Sequence, residues 1–168
     1  MNRIILLCDE INSGKTSNLK TWLSVKKNVF GVLSPKVGEG RIFENVQTGE
    51  KWKMEAGSES DVLLVGRYKF SPQAFEKAID AIHKGLEAKD ERFVVIDEIG
   101  PLEFQGLGFH SILLQSLAKL DFDSNLTLIL VIRKKLLENF ISEFQPKNYQ
   151  VLNVIKFLSL GNQDLDKN

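Results

Sequence analysis

The N-terminal segment joins an apolar run to a glycine-lysine-threonine sequence, and this combination constrains the fold more than any other feature of the chain. Residues 3–8, RIILLC, form a mostly apolar run, which is typical of a central strand covered on both faces of a sheet. Residues 9–17, DEINSGKTS, follow as a polar loop, and apolar residues then recur at helical spacing over residues 15–25. A buried strand, a short polar loop and a helix in this order indicate an α/β domain.

The rest of the chain alternates short β-rich runs with longer helical patterns, which predicts an α/β domain with a mainly parallel sheet. Two strand-like segments around Gln47-Thr48-Gly49 predict an antiparallel hairpin over residues 37–54, appended to that sheet. Further strands are predicted at residues 30–33, 92–96, 126–132 and 149–155, and an extended stretch at 62–70. Helices are predicted at residues 71–86, with Ser71 as N-cap and Pro72 in the first turn, and at residues 112–120 and 136–144.

Length and composition favour one compact domain. The 168 residues have 43% apolar content, so we expect a single domain over residues 1–160 and a flexible tail at residues 161–168. The 22 Lys and Arg residues balance the 22 Asp and Glu residues, so no overall field favours nucleic acid or an acidic membrane. No apolar stretch approaches the roughly 20 residues needed to cross a bilayer, and the single Cys8 cannot form an internal disulfide. We therefore expect a cytoplasmic protein, a monomer or weak oligomer, without nucleic acid or membrane partners.

The loop at residues 9–17 has the residue types of a phosphate-binding site. Its end matches the pattern G-x-x-x-x-G-K-[ST] at Gly14, Lys15 and Thr16, whereas Asp9 stands where the pattern begins with glycine. Gly14 lets the backbone approach a phosphate closely, the helix N-terminus presents free N–H groups, and Lys15 reaches the β- and γ-phosphates. The alternative is a turn that merely contains the Gly-Lys-Thr tripeptide. The predicted nucleotide-binding residues are Asp9, Glu10, Ile11, Asn12, Ser13, Gly14, Lys15, Thr16 and Ser17.

An acidic pair follows the predicted strand at residues 92–96. Asp97 and Glu98 come after four consecutive apolar residues, and the carboxyl ends of parallel strands meet at the edge of the sheet where α/β ligands bind. Beside a phosphate loop, an aspartate in this position supports Mg²⁺ and a glutamate orients the attacking water. The alternative is a solvated strand end. The sequence therefore predicts Thr16 and Asp97 as Mg²⁺ ligands and Glu98 and Lys15 as catalytic residues.

Four segments together carry a resemblance to a known family. They are NSGKTS at residues 12–17, FGVLSPKV at 30–37, VGRYKFSPQAFEKAI at 65–79 and VVIDEIGPLEF at 94–104. This combination resembles the thermophile and cancer-related nucleoside-triphosphatase family of P-loop proteins. The resemblance implies a three-layer P-loop sandwich with an appended hairpin and a Mg²⁺-dependent hydrolase that converts nucleoside triphosphates to diphosphates with loose base choice. It also implies that Lys15 contacts phosphate, Thr16 and Asp97 hold Mg²⁺, and Glu98 acts on water.

Three charged residues leave alternatives open. Asp9 would repel a phosphate if its carboxylate pointed into the loop, and we expect it to point outward. Arg133 follows the predicted strand at 126–132, and it is either a phosphate-sensing cation or a solvated arginine at a helix start. The resemblance places Arg67 close to the site.

Two other functions are also consistent with the sequence. A nucleotide-binding regulator with little turnover is one, because Asp9 departs from the loop pattern. A nucleotide or small-metabolite kinase is the other. Such kinases carry an arginine-rich lid, and residues 121–125, where a lid is expected, contain no arginine; the kinase therefore ranks below the hydrolase.

Overall fold

The computed structural model describes residues 3–10, 13–58 and 60–163. The strands are β1 (Ile4–Asp9), β2 (Val29–Leu33), β3 (Lys36–Val37), β4 (Gly40–Asn45), β5 (Lys51–Lys53), β6 (Leu63–Val65), β7 (Tyr68–Phe70), β8 (Arg92–Ile99), β9 (Leu126–Arg133) and β10 (Tyr149–Leu152). The helices are α1 (Lys15–Leu23), α2 (Pro72–Glu87), α3 (Pro101–Phe104), α4 (His110–Lys119), α5 (Leu137–Phe144) and α6 (Val154–Gln163).

The main sheet has eight strands, in the order β10-β1-β9-β8-β2-β4-β3, with β5 paired to β4. The strands from β10 to β2 are parallel, and β3, β4 and β5 pair in antiparallel fashion at one side. This arrangement confirms the predicted mainly parallel sheet with an appended antiparallel hairpin. The sheet lies between two layers of helices, as in the P-loop fold.

Alternate residues of the central strands pack on opposite faces of the sheet, which produces two cores. On one face, Leu6, Ile96 and Leu130 pack with apolar residues of α2, α4 and α5. On the other face, Leu7 and Val131 pack with α1 and α6. Because both faces are covered, these strands are apolar along most of their length, and this is the pattern that identified them in the sequence.

Two segments differ from the prediction. The stretch at residues 62–70 is a separate hairpin of β6 and β7, because Gly66, with a φ of +56°, lets the chain reverse between them. The last strand ends at Leu152 rather than at residue 155, and α6 follows it. Asn153 supports this helix start, since its Oδ1 accepts a hydrogen bond of 2.9 Å from the Lys156 N–H. Of the predicted tail, residues 161–163 belong to α6, and residues 164–168 lie outside the described part of the chain.

The helices of the described residues are too short or too polar to cross a membrane.

Gly31, in the middle of β2, is required by the close approach of β8. Its φ is +101°, and a Cβ at this position would overlap the Val95 carbonyl oxygen. Gly49, in the turn after β4, also has a positive φ, +74°, but an added Cβ there would meet nothing within 4 Å. A substitution at Gly49 therefore adds backbone strain alone, whereas a substitution at Gly31 adds both backbone strain and steric overlap.

We predict that Gly31→Ala destabilises the fold more than Gly49→Ala. The turn variant carries only the cost of a left-handed alanine, about 1 kcal/mol, whereas the strand variant must also displace the backbone of β8, for a total of about 3 kcal/mol or more. Urea unfolding of the two variants and the wild type measures both costs. Equal losses of stability would show that β2 and β8 are not in close contact at this point.

Candidate active site

Described residues at both ends of the loop between β1 and α1 contact the Lys15 side chain. Gly14 precedes α1 with a left-handed φ of +79°. Lys15 is only 7% exposed, and its Nζ donates to the carbonyl oxygens of Asp9 and Glu10 at 3.1 and 2.6 Å and to Ser13 Oγ at 3.3 Å. The ammonium group is thus held between the end of β1 and the residue before Gly14. Ile11 and Asn12 lie outside the described residues.

The N-terminal turn of α1 faces the same region. Thr16 is half-buried, and Ser17 is exposed on the outer side of the turn. The first N–H groups of a helix have no acceptor within the helix, so this end of α1 favours an anion.

Asp97 connects the loop to the centre of the sheet. Its side chain is fully buried, and Oδ2 accepts hydrogen bonds from Thr16 Oγ1 at 2.9 Å and from the Ser34 N–H at 3.0 Å. Burial raises the pKa of this carboxyl to about 6. Within the described residues, the other oxygen, Oδ1, has no hydrogen-bond partner. A buried carboxylate oxygen without a partner is costly unless something else satisfies it.

The unsatisfied oxygen of Asp97 and the hydroxyl of Thr16 suit a magnesium ion. Mg²⁺ prefers oxygen ligands and is usually held by one or two protein groups together with water and substrate phosphates. No group of three or more His, Cys, Asp or Glu side chains that would hold a metal by itself occurs in the described part of the chain. The residues present therefore fit a Mg²⁺ that takes two ligands from the protein and the others from phosphate and water.

Glu98 lies beside this pair, at an irregularity in the sheet. Asp97 is in register with Val131 and Ile99 with Ile132, so Glu98 is an extra residue on β8. Its carboxylate forms an ion pair with Arg133, in which Nε lies 2.5 Å from Oε1. Arg133, at the end of β9, holds the Glu98 side chain at the carboxyl edge of the sheet.

The Asp9 carboxylate points away from the centre of the loop, as expected. Its Oδ1 accepts from the Glu10 N–H at 2.9 Å, and Oδ2 accepts from the Val154 N–H at 3.3 Å. These two backbone donors lower the pKa of Asp9. Val154 is the first residue of α6, so Asp9 supplies an acceptor to one of the N–H groups that have no partner within the helix, as Asn153 does for another. Glu10 also points outward, to an exposed ion pair with Lys134 at 3.1 Å.

Arg67 lies at the turn of the β6-β7 hairpin. It is exposed, and its guanidinium lies 5.3 Å from the centre of the Tyr68 ring. Arg67, Glu98 and Arg133 line one cavity of about 520 Å³. Arg67 therefore lines the same cavity as Glu98, and none of the loop residues 13–17 lines that cavity.

Sequence reasoning missed Ser34 and Arg41. Ser34 follows β2 and donates its N–H to Asp97, and Arg41, on β4, donates from Nη1 to the Ser34 carbonyl at 3.3 Å. Burial raises the pKa of Asp97, and the Arg41 charge is among the influences that oppose this effect. The antiparallel strand brings Arg41 here, and no local sequence pattern indicates that contact.

The segment in which a lid was expected lies elsewhere. Residues 121–125 connect α4 to the start of β9, at the opposite edge of the sheet from Glu98. There, Asp123 forms an ion pair of 2.7 Å with the buried Arg92. The lack of arginine at residues 121–125 therefore says nothing about a lid over the phosphates, and it gives no reason to rank the kinase below the hydrolase.

Comparisons with known proteins agree with this architecture. The crystal structure of THEP1 from the hyperthermophile Aquifex aeolicus matches with a TM-score of 0.71 at 20% identity, covering 94% of this chain and 98% of that chain. At this identity the likeness concerns the fold. A search of curated protein sequences finds no match. The model of a family described as NTPase matches residues 5–161, which include the loop and the Asp97-Glu98 pair. The chain therefore belongs to the NTPase family of P-loop proteins.

Proposed function

We propose that the protein is a Mg²⁺-dependent nucleoside-triphosphatase that converts ATP, GTP and other nucleoside triphosphates to the diphosphate and phosphate. The observation that carries this proposal is the 2.9 Å hydrogen bond between Thr16 and Asp97. It joins the loop to the acidic pair and leaves Asp97 Oδ1 without a hydrogen-bond partner among the described residues. A loop for phosphate, a pair of oxygen ligands for Mg²⁺ and a carboxylate for water then lie next to one another.

Phosphate binding is assigned to the loop and the first turn of α1. The loop would surround the β-phosphate, and the N–H groups at the start of α1 would donate to its oxygens. Lys15 Nζ donates to the carbonyls of Asp9 and Glu10 in this structure, and it would exchange these acceptors for β- and γ-phosphate oxygens. A charge-assisted bond to phosphate is stronger than a bond to a neutral carbonyl, so the exchange favours the bound nucleotide.

Magnesium is assigned to Thr16 and Asp97, whose oxygen atoms are already adjacent. When bound, the ion neutralises charge on the phosphates. Asp97 contributes to Mg²⁺ binding because its carboxylate is buried next to the loop, where its charge is weakly screened.

Glu98 is assigned to the attacking water. Its carboxylate accepts a hydrogen bond from the water, orients it toward the terminal phosphorus and receives its proton as the new P–O bond forms. Arg133 holds one carboxylate oxygen through the ion pair and leaves the other oxygen for the water. The bond that breaks joins the terminal phosphorus to the bridging oxygen, which departs with the diphosphate.

The same arrangement also suits the two other functions considered. A regulator with little turnover would bind nucleotide at the same loop. A kinase would place an acceptor hydroxyl or phosphate where the hydrolase places water, and the cavity beside Glu98 provides space for one. Hydrolysis remains our proposal because Glu98 needs only water to complete the reaction.

We predict that Asp97→Asn and Glu98→Gln have separable effects. Asp97→Asn removes a Mg²⁺ ligand charge and should weaken Mg²⁺-nucleotide binding about tenfold or more, or about 1.4 kcal/mol. Glu98→Gln should preserve binding and lower kcat by a factor on the order of 10² or more, because it removes the proton acceptor. Titration with a non-hydrolysable triphosphate measures binding, and phosphate release measures turnover.

The control for this pair is Glu87→Gln, at the exposed end of α2, which should leave both quantities unchanged. Equal loss of binding in the two site variants, with no defect specific to turnover in Glu98→Gln, would show that the assigned roles are wrong.

We predict that Asp9→Gly changes triphosphate affinity by less than about tenfold, or about 1.4 kcal/mol, because the carboxylate points toward α6. The variant should instead lose about 1 kcal/mol of folding stability, since the Val154 N–H loses its acceptor. Asp9→Asn, which keeps an acceptor without the charge, should retain most of this stability. A gain in affinity of tenfold or more for Asp9→Gly would mean that the carboxylate faces the phosphates.

A further inference from the structure

The cavity beside Glu98 has an aromatic floor. Four buried phenylalanine rings line it. The ring centres of three of them, Phe43, Phe75 and Phe109, lie 5.0 to 5.6 Å from one another. Phe70 and Met54 extend this surface. The cavity measures about 520 Å³, which lies within the range of small-molecule sites. Phe43 and Phe109 are 0% and 1% exposed and support this floor from below, whereas Tyr68, Phe70 and Phe75 keep exposed area that a flat ring can contact.

The walls and rim of the cavity carry an excess of positive charge. Three carboxyl groups line it, and one of them, Glu103, is buried and accepts hydrogen bonds from the Gly100 and Phe109 N–H groups. In the described part of the chain, Lys36 and Lys135 form no ion pair. The five basic side chains that line the cavity are Lys36, Arg41, Arg67, Arg133 and Lys135.

This balance of charge suits a phosphate monoester. Five basic groups face three carboxyl groups, so the cavity has an excess of two positive charges when all are ionised. A phosphate monoester carries between about −1.5 and −2 at neutral pH. Arginine and lysine together provide both forked and point-like donors for its oxygens.

The cavity is separate from the nucleoside end of the triphosphate site. The proposed function, on which this step rests, places the terminal phosphate next to Glu98, so the nucleoside extends away from Glu98 toward the other end of the loop. The strand order places β4, which carries the cavity residue Arg41, on the side of β8 away from β1 and its loop, and none of the loop residues 13–17 lines the cavity. A nucleotide in the phosphate loop therefore leaves the cavity free.

We propose that this cavity binds a second small molecule, an aromatic ring that carries a phosphate monoester, at the same time as the triphosphate. The ring packs on Tyr68, Phe70 and Phe75, and the phosphate is held by the basic side chains of the rim. Nucleoside monophosphates and other aromatic phosphate esters share this chemistry.

Isothermal titration calorimetry on the full chain tests the proposal. The phosphate loop is first saturated with Mg²⁺ and a non-hydrolysable triphosphate, and AMP, UMP and phenyl phosphate are then titrated separately. We expect at least one of them to bind with a stoichiometry of one, about tenfold or more tighter than adenosine or inorganic phosphate. Tighter binding of AMP or UMP than of phenyl phosphate identifies a nucleotide site, and equal binding identifies a general aromatic phosphate site.

Substitutions at the exposed rim locate the bound ester. Lys36→Glu combined with Arg67→Glu should weaken the tightest probe about tenfold or more. The matched control, Lys84→Glu combined with Lys89→Glu, changes the same number of charges at the end of α2, next to the opposite edge of the sheet, and should leave affinity unchanged.

Lys15→Ala, titrated without the triphosphate analogue, separates this proposal from the proposed function. Unchanged affinity for the ester places it outside the phosphate loop. If Lys15→Ala also leaves triphosphate binding unchanged, the proposed function fails while the cavity site stands. The cavity proposal is overturned if none of the three esters binds, if adenosine binds equally well, if the rim variant matches its control, or if the Lys15 variant loses the ester.

Discussion

The buried carboxylate of Asp97 is the constraint on which the candidate site depends. Its Oδ2 accepts hydrogen bonds from the start of α1 and from the residue after β2, so one oxygen atom joins three segments that are distant in sequence. The cost of burying this carboxyl is visible in its pKa, which burial raises to about 6. The two hydrogen bonds offset part of that cost, and an ion bound at Oδ1 would offset more. A structural aspartate would have both oxygens satisfied by the protein.

The parallel sheet explains why the other groups gather around Asp97. The ends of β1, β8, β9 and β2 lie at one edge, so each strand delivers its following residues to the same place. β9 contributes Arg133, which pairs with Glu98. The antiparallel strands add a wall beyond β2, and this wall creates the cavity in which aromatic and basic side chains meet. The fold thus places the phosphate loop and the cavity near Glu98, which lines the cavity.

Much of this arrangement was readable from local patterns. The order of apolar run, Gly14-Lys15-Thr16 and helix predicted β1, the loop and α1, and the run before Asp97 predicted β8, because both strands are buried on two faces. The β4-β5 hairpin was predicted from its turn, and Phe43 and Trp52 are in register across it. These features depend on residues close in sequence, where period and turn chemistry are informative.

The features that were missed depend on contacts between distant segments or on weak local signals. Ser34 reaches Asp97 only once β2 has packed beside β8, and Arg41 reaches Ser34 only once β4 has packed beside β2. The position of residues 121–125 could not be inferred without the strand order, and their assignment to a lid was wrong. Helix α6 did carry a local signal, Asn153 as an N-cap, but its apolar residues were read as the end of a strand, since short apolar runs suit either element.

Phosphate release from ATP and GTP, measured with and without Mg²⁺ on the wild-type chain and on Lys15→Ala, tests the central claim most directly. The account predicts that both nucleotides are hydrolysed, that removal of Mg²⁺ stops the reaction, and that Lys15→Ala abolishes it by removing the cation that reaches the β- and γ-phosphates. Release that persists in Lys15→Ala or after chelation of Mg²⁺, or no release above the uncatalysed rate from either nucleotide, would contradict it.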